Sequence, residues 1–441
     1  MRRKVAIISG SCCHAWIRRS SAPCSSHKIG PGGLPNHLDV IFPFLVDGLF
    51  RFTSTSFLNL SAHKVYIVCA AGIVSGKEIV SLILGSGLRR QGWDVEFLTS
   101  NWGNGDFITR LQKEGFSYRL LRLGFLSVSL QWKPMIWTLD QLRYWPSLMR
   151  NYVKLMRAKP RAVIHTNWHH ALLLAPFLDR HRDLYWSHEI TPNSRPYRYV
   201  FGMIARRVAG IVCVSQAVAN SFAAIGIDRS KLLVIYNGFD RQPDVEAPRT
   251  EPPLRLGIVG QIGAWKGHGD AFDALALVGA DSSVVLKIFG KGMPDYVESL
   301  KRRATEQGFA DRVEWRGFVS NQAEIYEQLD ICIVPSKFAD PLPTSAIEAS
   351  GFGRPVICSA MGGLAEIVND RETGIVVEPD RPDLLAGAIR MFARQPELIA
   401  SMGGAARRRA ETVFSSGRFV RQFIEAMDGF AAARRVWERQ A

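Results

Sequence analysis

Between Lys64 and Ser100 the chain reads KVYIVCAAG, then KEIVSLILGSGLRRQG after a short break, then WDVEFLTS. The first and last are apolar runs, and the middle one has helical spacing. A strand, helix, strand unit of this length has one common solution, a right-handed crossover joining two parallel strands. Apolar runs recur at 161–167 (RAVIHTN), 183–189 (DLYWSHE), 209–215 (AGIVCVS) and 231–238 (KLLVIYNG). The first half is therefore predicted to be a doubly wound parallel sheet.

The alternation then stops and restarts. FDRQPDVEAPRTEPPLR, 239–255, is charged and proline-rich without apolar period, and reads as a linker. Beyond it come LRLGIVGQIG, SSVVLKIFGKG, RVEWRGFV, DICIVPS, GRPVICS and TGIVVEP, with helical stretches between them. A chain of 441 residues also exceeds one ordinary core. The expected division is two Rossmann-like domains, 63–240 and 256–418, joined by a linker at 241–255. A helix at 419–441 is expected to cross back to the first domain.

Residues 1–62 fit neither half. MRRKVAIISG opens like a signal peptide, but the polar stretch after it supplies no apolar core. The longest apolar run, 38–52, is broken by Asp47 and Arg51. This segment is read as a poorly ordered extension. Seven cysteines without a C-x-x-C pair argue against a disulfide framework or zinc site, and favour a reducing, cytoplasmic setting.

Charge is divided unevenly. Residues 63–240 carry 23 Lys and Arg against 11 Asp and Glu, whereas 241–441 carry 25 against 27. A basic first half suits an anionic lipid surface. DQLRYWPSLMRNYVKLMRAKP, 140–160, interleaves aromatic and aliphatic residues with cations, and reads either as an interfacial helix or as one covering the first sheet.

Candidate ligand residues sit where apolar runs end, as they do in open parallel sheets. LGIVGQIGAWKGH places Gly260, Gln261 and Gly263 just before Lys266, and FGKGMPD repeats the pattern with Gly290 and Gly292. Glycines admit a ligand close to the backbone, and lysine supplies a point charge for phosphate. The dinucleotide fingerprint lacks its third glycine, which disfavours hydride transfer. GIVSGKE is not a Walker A loop, because Ala71 and Glu78 occupy its glycine and Ser/Thr positions.

DPLPTSAIEASGFGRPVI, 340–357, sets Asp340 and Glu348 on either side of a helix start. Ser345 and Glu348 alone would make a capping box, and Asp340 a turn. Together with the glycine loops and Lys266 they suggest a nucleotide-sugar cradle. Thr344 and Ser345 would offer N–H groups to phosphate, and the carboxylates would take sugar hydroxyls.

These motifs resemble those of the retaining GT-B-fold glycosyltransferases of family 4, the group 1 glycosyltransferases. Asp340 to Glu348, continuing EASGFGRPVI, is similar to the family's E-x7-E segment; VGQIGAWKG resembles V-G-R-x-x-x-x-K-G, and VIYNGFD resembles N-G-x-D. The resemblance implies two Rossmann-like domains facing a central cleft and no metal or cofactor, with the nucleotide-diphosphate sugar as co-substrate. It implies that Lys266 neutralises the diphosphate, Glu348 holds the ribose, and Asp340 touches the donor sugar. Leu342 lies in the same loop. Gly317, Phe318 and Val319 would face the base. His188 would lie near the reacting carbon, and Gly76 in the acceptor-side loop. Gln261 and Asp340 depart from the family's arginine and glutamate. The expected partners are a nucleotide-sugar, a lipid-linked or glycan acceptor and an anionic membrane surface, with no nucleic acid. Rival expectations are an epimerase or phosphorylase on the same fold, or a non-catalytic nucleotide-sugar-binding protein.

Overall fold

The computed structural model describes residues 63–440 except 71–73, 101–104, 125–131, 241–245, 250 and 280–282. The expectation for residues 1–62 lies outside the described residues.

Among the described residues the two sheets hold seven and six strands, the first made of β1 (Lys64–Val68), β2 (Asp94–Thr99), β3 (Ser117–Leu120), β4 (Ala162–His165), β5 (Asp183–Ser187), β6 (Gly210–Cys213) and β7 (Leu232–Val234). They run in the order β3-β2-β1-β4-β5-β6-β7, and every pair is parallel. The second sheet has six, β8 (Leu254–Val259), β9 (Val284–Phe289), β10 (Val313–Gly317), β11 (Ile331–Val334), β12 (Val356–Ser359) and β13 (Gly374–Val377). Their order is β10-β9-β8-β11-β12-β13, again parallel throughout. Strand order reverses beside β1 in one sheet and beside β8 in the other, which opens a crevice at the carboxyl ends of each. Central strands are buried along their length, which accounts for their unbroken apolar runs.

Leu254 and Arg255, read as the end of the linker, are the first residues of β8. Their register against Val284 and Val285 of β9 takes up their backbone groups. The last helix likewise begins at Ser416 rather than 419. The chain passes between the lobes twice, side by side. Phe239 N–H donates to the Phe414 carbonyl at 2.7 Å, and Ser416 N–H to the Phe239 carbonyl at 3.0 Å. From there the helix Ser416–Gln440 returns to the first lobe. Phe419 and Phe423 pack on Trp186, and Asp428 pairs with Arg161 at 2.5 Å.

A second contact between lobes solves a local problem. The helix Gln216–Ala224 begins with N–H groups that have no intrahelical acceptor. Ser215 takes that of Val218 at 3.2 Å. Glu366, from the second lobe, takes those of Gln216 and Ala217 at 2.7 and 2.8 Å.

The helix Trp145–Met156 buries Leu148, Met149, Tyr152 and Leu155, in one cluster with Tyr66, Val68 and Leu98 of the sheet. This part of 140–160 is thus the sheet-covering helix. The preceding helix, Trp132–Arg143, leaves Ile136, Leu139 and Leu142 exposed.

Candidate active site

Loops at the carboxyl ends of β8, β9 and β10 lie backbone to backbone. Gly260 N–H donates to Phe289 O at 2.9 Å, and Gly290 N–H to Gly317 O at 2.7 Å. Gly290 has a φ of +146°, and a Cβ there would stand 1.8 Å from the Gly260 carbonyl oxygen. Its glycine is therefore required by the loop stack itself. Gly292 packs on Ile262, and Gly263 under the Trp265 ring. Phe318 is 67% exposed, with the Lys291 ammonium 5.5 Å from its ring centroid, while Val319 packs on the core.

The loop after Gly263 forms one 3-10 turn, Ala264–Lys266, held by His268, whose Nδ1 lies 3.2 Å from the Gly263 carbonyl. Burial lowers the His268 pKa to about 4, with Lys266 adding to the effect and the Gly263 bond opposing it. The ring is therefore neutral near pH 7. Lys266 Nζ reaches Asp340 Oδ2 at 2.5 Å, a partly exposed pair. Gly260, Gln261, Lys266, His268 and Ser345 line one pocket.

Asp340 belongs to a loop laid on Gly362 and Gly363. Gly363 N–H donates to the Asp340 carbonyl at 2.8 Å, and Leu342 is buried beneath. The helix Thr344–Gly351 then starts with Pro343 as its extended N-cap. Ser345 is already inside that helix, so the capping box expected from Ser345 and Glu348 does not form. The box is at Ser75 and Glu78 instead, where Glu78 Oε2 accepts from Ser75 N–H at 3.0 Å and from its hydroxyl at 2.5 Å.

Glu348 accepts from the Tyr326 hydroxyl at 3.0 Å. Burial pushes the Glu348 carboxyl above its ordinary value, while Tyr326, Thr344 and Gln322 hold it back. Burial also pushes the Tyr326 phenol well up, aided by the Glu348 charge.

Across the interlobe gap, a Cβ built on Gly76 would lie 3.5 Å from the Thr344 side chain. The first residues of helices Gly76–Arg90 and Thr344–Gly351 thus meet. His188, just past β5, leans on Trp186 with ring centroids 4.3 Å apart. Its Nε2 is buried without a hydrogen-bond partner. Burial, then Lys77, keeps its pKa well below the usual imidazole range.

The structure thus brings Gly260, Gln261, Lys266, Asp340, Thr344, Ser345 and Glu348 to one end of the second sheet, with Gly76 facing them. Tyr326, His268 and Lys77 were missed. For Tyr326 no sequence signal exists, since only the fold sets it beside Glu348. A larger cavity between the helix Trp145–Met156 and the edge of the first sheet, lined by Arg119, Asn151 and Lys154 among others, contains none of the expected residues. Among the described residues no cluster of three His, Cys, Asp or Glu side chains could hold a metal, and no helix is long and apolar enough to cross a membrane.

Two family descriptions match adjoining parts of the chain, Glycosyltransferase Family 4 over residues 74–242 and Glycosyl transferases group 1 over residues 240–409. The D-inositol 3-phosphate glycosyltransferase of Streptomyces coelicolor is 35% identical over 117 residues, 26% of this chain and 25% of that protein. The Geodermatophilus obscurus protein of the same name is 30% identical over 220 residues, 46% of this chain and 48% of that one. The chain thus matches from a quarter to about half of these relatives' length. Anabaena HepE, crystallised with UDP and glucose, superposes with a TM-score of 0.69 at 20% identity, covering 83% of this chain and 100% of that one. The fold is GT-B.

Proposed function

Since the chain belongs to the group 1, family 4 glycosyltransferases, we propose that it moves a sugar from a nucleoside diphosphate sugar to an acceptor hydroxyl in the cleft between its two sheets. The observation that carries this reading is the convergence of Lys266, Asp340 and the start of the helix Thr344–Gly351 opposite Gly76.

In this reading the helix start and Lys266 stabilise the departing diphosphate electrostatically. Thr344 and Ser345, the first two residues, have N–H groups free of intrahelical acceptors. Asp340, fixed by its ion pair, receives donor-sugar hydroxyls, and Glu348, steadied by Tyr326, receives the ribose pair. Backbone groups of Gly317, Phe318 and Val319 take the base. Neutral His188 serves as a polar contact to the sugar or acceptor, since an imidazole held unprotonated neither repels a cationic sugar carbon nor donates a proton. Retention of configuration and metal independence belong to the proposal.

The acceptor is proposed to be a lipid-linked or growing polysaccharide at the cytoplasmic membrane face, in cell-surface glycan or glycolipid synthesis. Its support is the exposed Ile136, Leu139, Leu142 and Arg143 of one helix, followed in the next by exposed Arg150 and Lys154.

The test is incubation with a panel of nucleotide sugars and a membrane extract. Acceptor-dependent release of nucleoside diphosphate with glycosylated product is the expected result. Sugar isomers, phosphorolysis, or binding without turnover under every donor would overturn it.

A further inference from the structure

A nucleoside diphosphate carries about three negative charges, and the second lobe has little net charge to offset them. Lys266 is paired with Asp340. Lys337, next to the same strand ends, is shared between Asp270 at 2.9 Å and Asp380 at 2.7 Å. Lys291 stands over the Phe318 ring, on the side proposed for the base. Gln261, in the loop that leads to Lys266, is uncharged.

The opposing lobe supplies what is missing. Gly76 and Thr344 each open a helix and face one another, so two positive dipole ends are brought together. Glu78 already offsets the first of these ends through its capping box, whereas the helix Thr344–Gly351 has no acidic residue in its first turn, so an anion between the two starts is favoured. Lys77 follows Gly76 directly. Its Nζ lies 3.5 Å from Glu78 Oε1, a loose pair, and the other oxygen of Glu78 is committed to Ser75. The Lys77 side chain is 21% exposed. Its charge is felt by Glu189, whose ionised form it favours against burial, and by His188 and His170, where it adds to burial in disfavouring protonation.

We infer that Lys77 is the first lobe's cation for the donor diphosphate, supplying across the cleft the charge that Lys266 alone does not. The inference rests on the nucleotide-sugar reading above. It makes donor binding a contact of both lobes: the diphosphate would bridge Lys77 and the start of the helix Thr344–Gly351. A lysine suits this, because a compact ammonium on a long stem can leave Glu78 for a phosphate oxygen without moving the backbone.

The measurement is the dissociation constant of UDP, GDP and ADP, with the matching nucleosides as uncharged controls, for the full chain at several salt concentrations. Lys77→Met should weaken the best diphosphate by about 10- to 100-fold, the range for one hydrogen bond to a charged group. It should leave the nucleoside unchanged and flatten the salt dependence. Lys77→Arg should retain most of the affinity. Gln261→Arg in the Lys77→Met background should restore much of it, which a merely structural lysine would not allow. Unchanged diphosphate affinity and salt slope in folded Lys77→Met, with Lys266→Ala impaired, would overturn the role of Lys77 and leave the site reading intact. So would a Lys77→Met defect that extends equally to the nucleoside and is not rescued by Gln261→Arg. If the unaltered chain binds none of the three diphosphates, both readings fall.

Discussion

Lys266 and Asp340, 74 positions apart in sequence, form an ion pair at 2.5 Å in which both side chains keep some exposure. The aspartate aims the ammonium, and the ammonium fixes the carboxylate against the glycine-backed loop. Lys266→Ala is expected to lower turnover by roughly 100-fold or more, the scale of losing one preorganised electrostatic contact. Steady-state kinetics with a saturating donor would measure it, and native-like turnover would remove Lys266 from the site. Asp340→Asn should impair sugar recognition more than diphosphate binding, seen as a larger loss for the nucleotide sugar than for the free diphosphate.

The Tyr326 to Glu348 bond gives a pH prediction. Burial places the folded Glu348 pKa above its ordinary value of 4.5. If the ionised carboxylate holds the ribose, donor affinity rises with pH through that raised pKa, so its acid limb lies above that of a free glutamate. Tyr326→Phe removes a donor that favours the charged form and should move the limb further up. The folded protein also binds this proton more tightly than the unfolded chain, so the Glu348 contribution to stability falls as pH rises from 4.5 through the folded pKa. Donor titrations between pH 4 and 8 test the first part; an acid limb unmoved by Tyr326→Phe would exclude that link.

Glu366 caps the helix Gln216–Ala224 from the other lobe. Glu366→Ala should cost about 1–2 kcal/mol, as for loss of a side-chain cap, and Glu366→Gln less. Thermal unfolding would show the order. Because Gly363, the N-cap of the short helix Leu364–Ile367 that carries Glu366, holds Asp340, the alanine variant is also expected to raise the KM for donor.

For the membrane reading, anionic vesicles should bind the protein less as salt rises. Replacing Ile136, Leu139 and Leu142 with serine should weaken partitioning further without lowering the melting temperature, since these side chains are exposed. Salt-independent behaviour in sedimentation with vesicles would count against it.

The sequence carried the two sheets because buried parallel strands are unbroken apolar runs, as in Ile331–Val334. It did not carry β3, whose Ser117–Leu120 is an exposed edge with no apolar pattern. The motif S-x-x-E occurs at both Ser75 and Ser345. Only the first caps, because Pro343 takes the N-cap position of the other helix and puts Ser345 inside it. Lys266, Asp340 and Glu348 were legible as motif residues, but their mutual distances were not. Lys77 lay within a failed phosphate-loop pattern, and nothing local showed that its neighbour Gly76 would face a second helix start. Tyr326 and Glu366 act across long stretches of chain, a relation that spacing does not encode.

The two crossings at Phe239 and Ser415 run side by side as a short parallel bridge. Paired straps of this kind are where a hinge between two leaves would lie, with the Glu366 bonds to Gln216 and Ala217 as the ties that a swing would have to strain. Gly76 and Thr344 then sit on the free edges of the two leaves, so a modest swing would open or shut the gap between them while each leaf stays rigid.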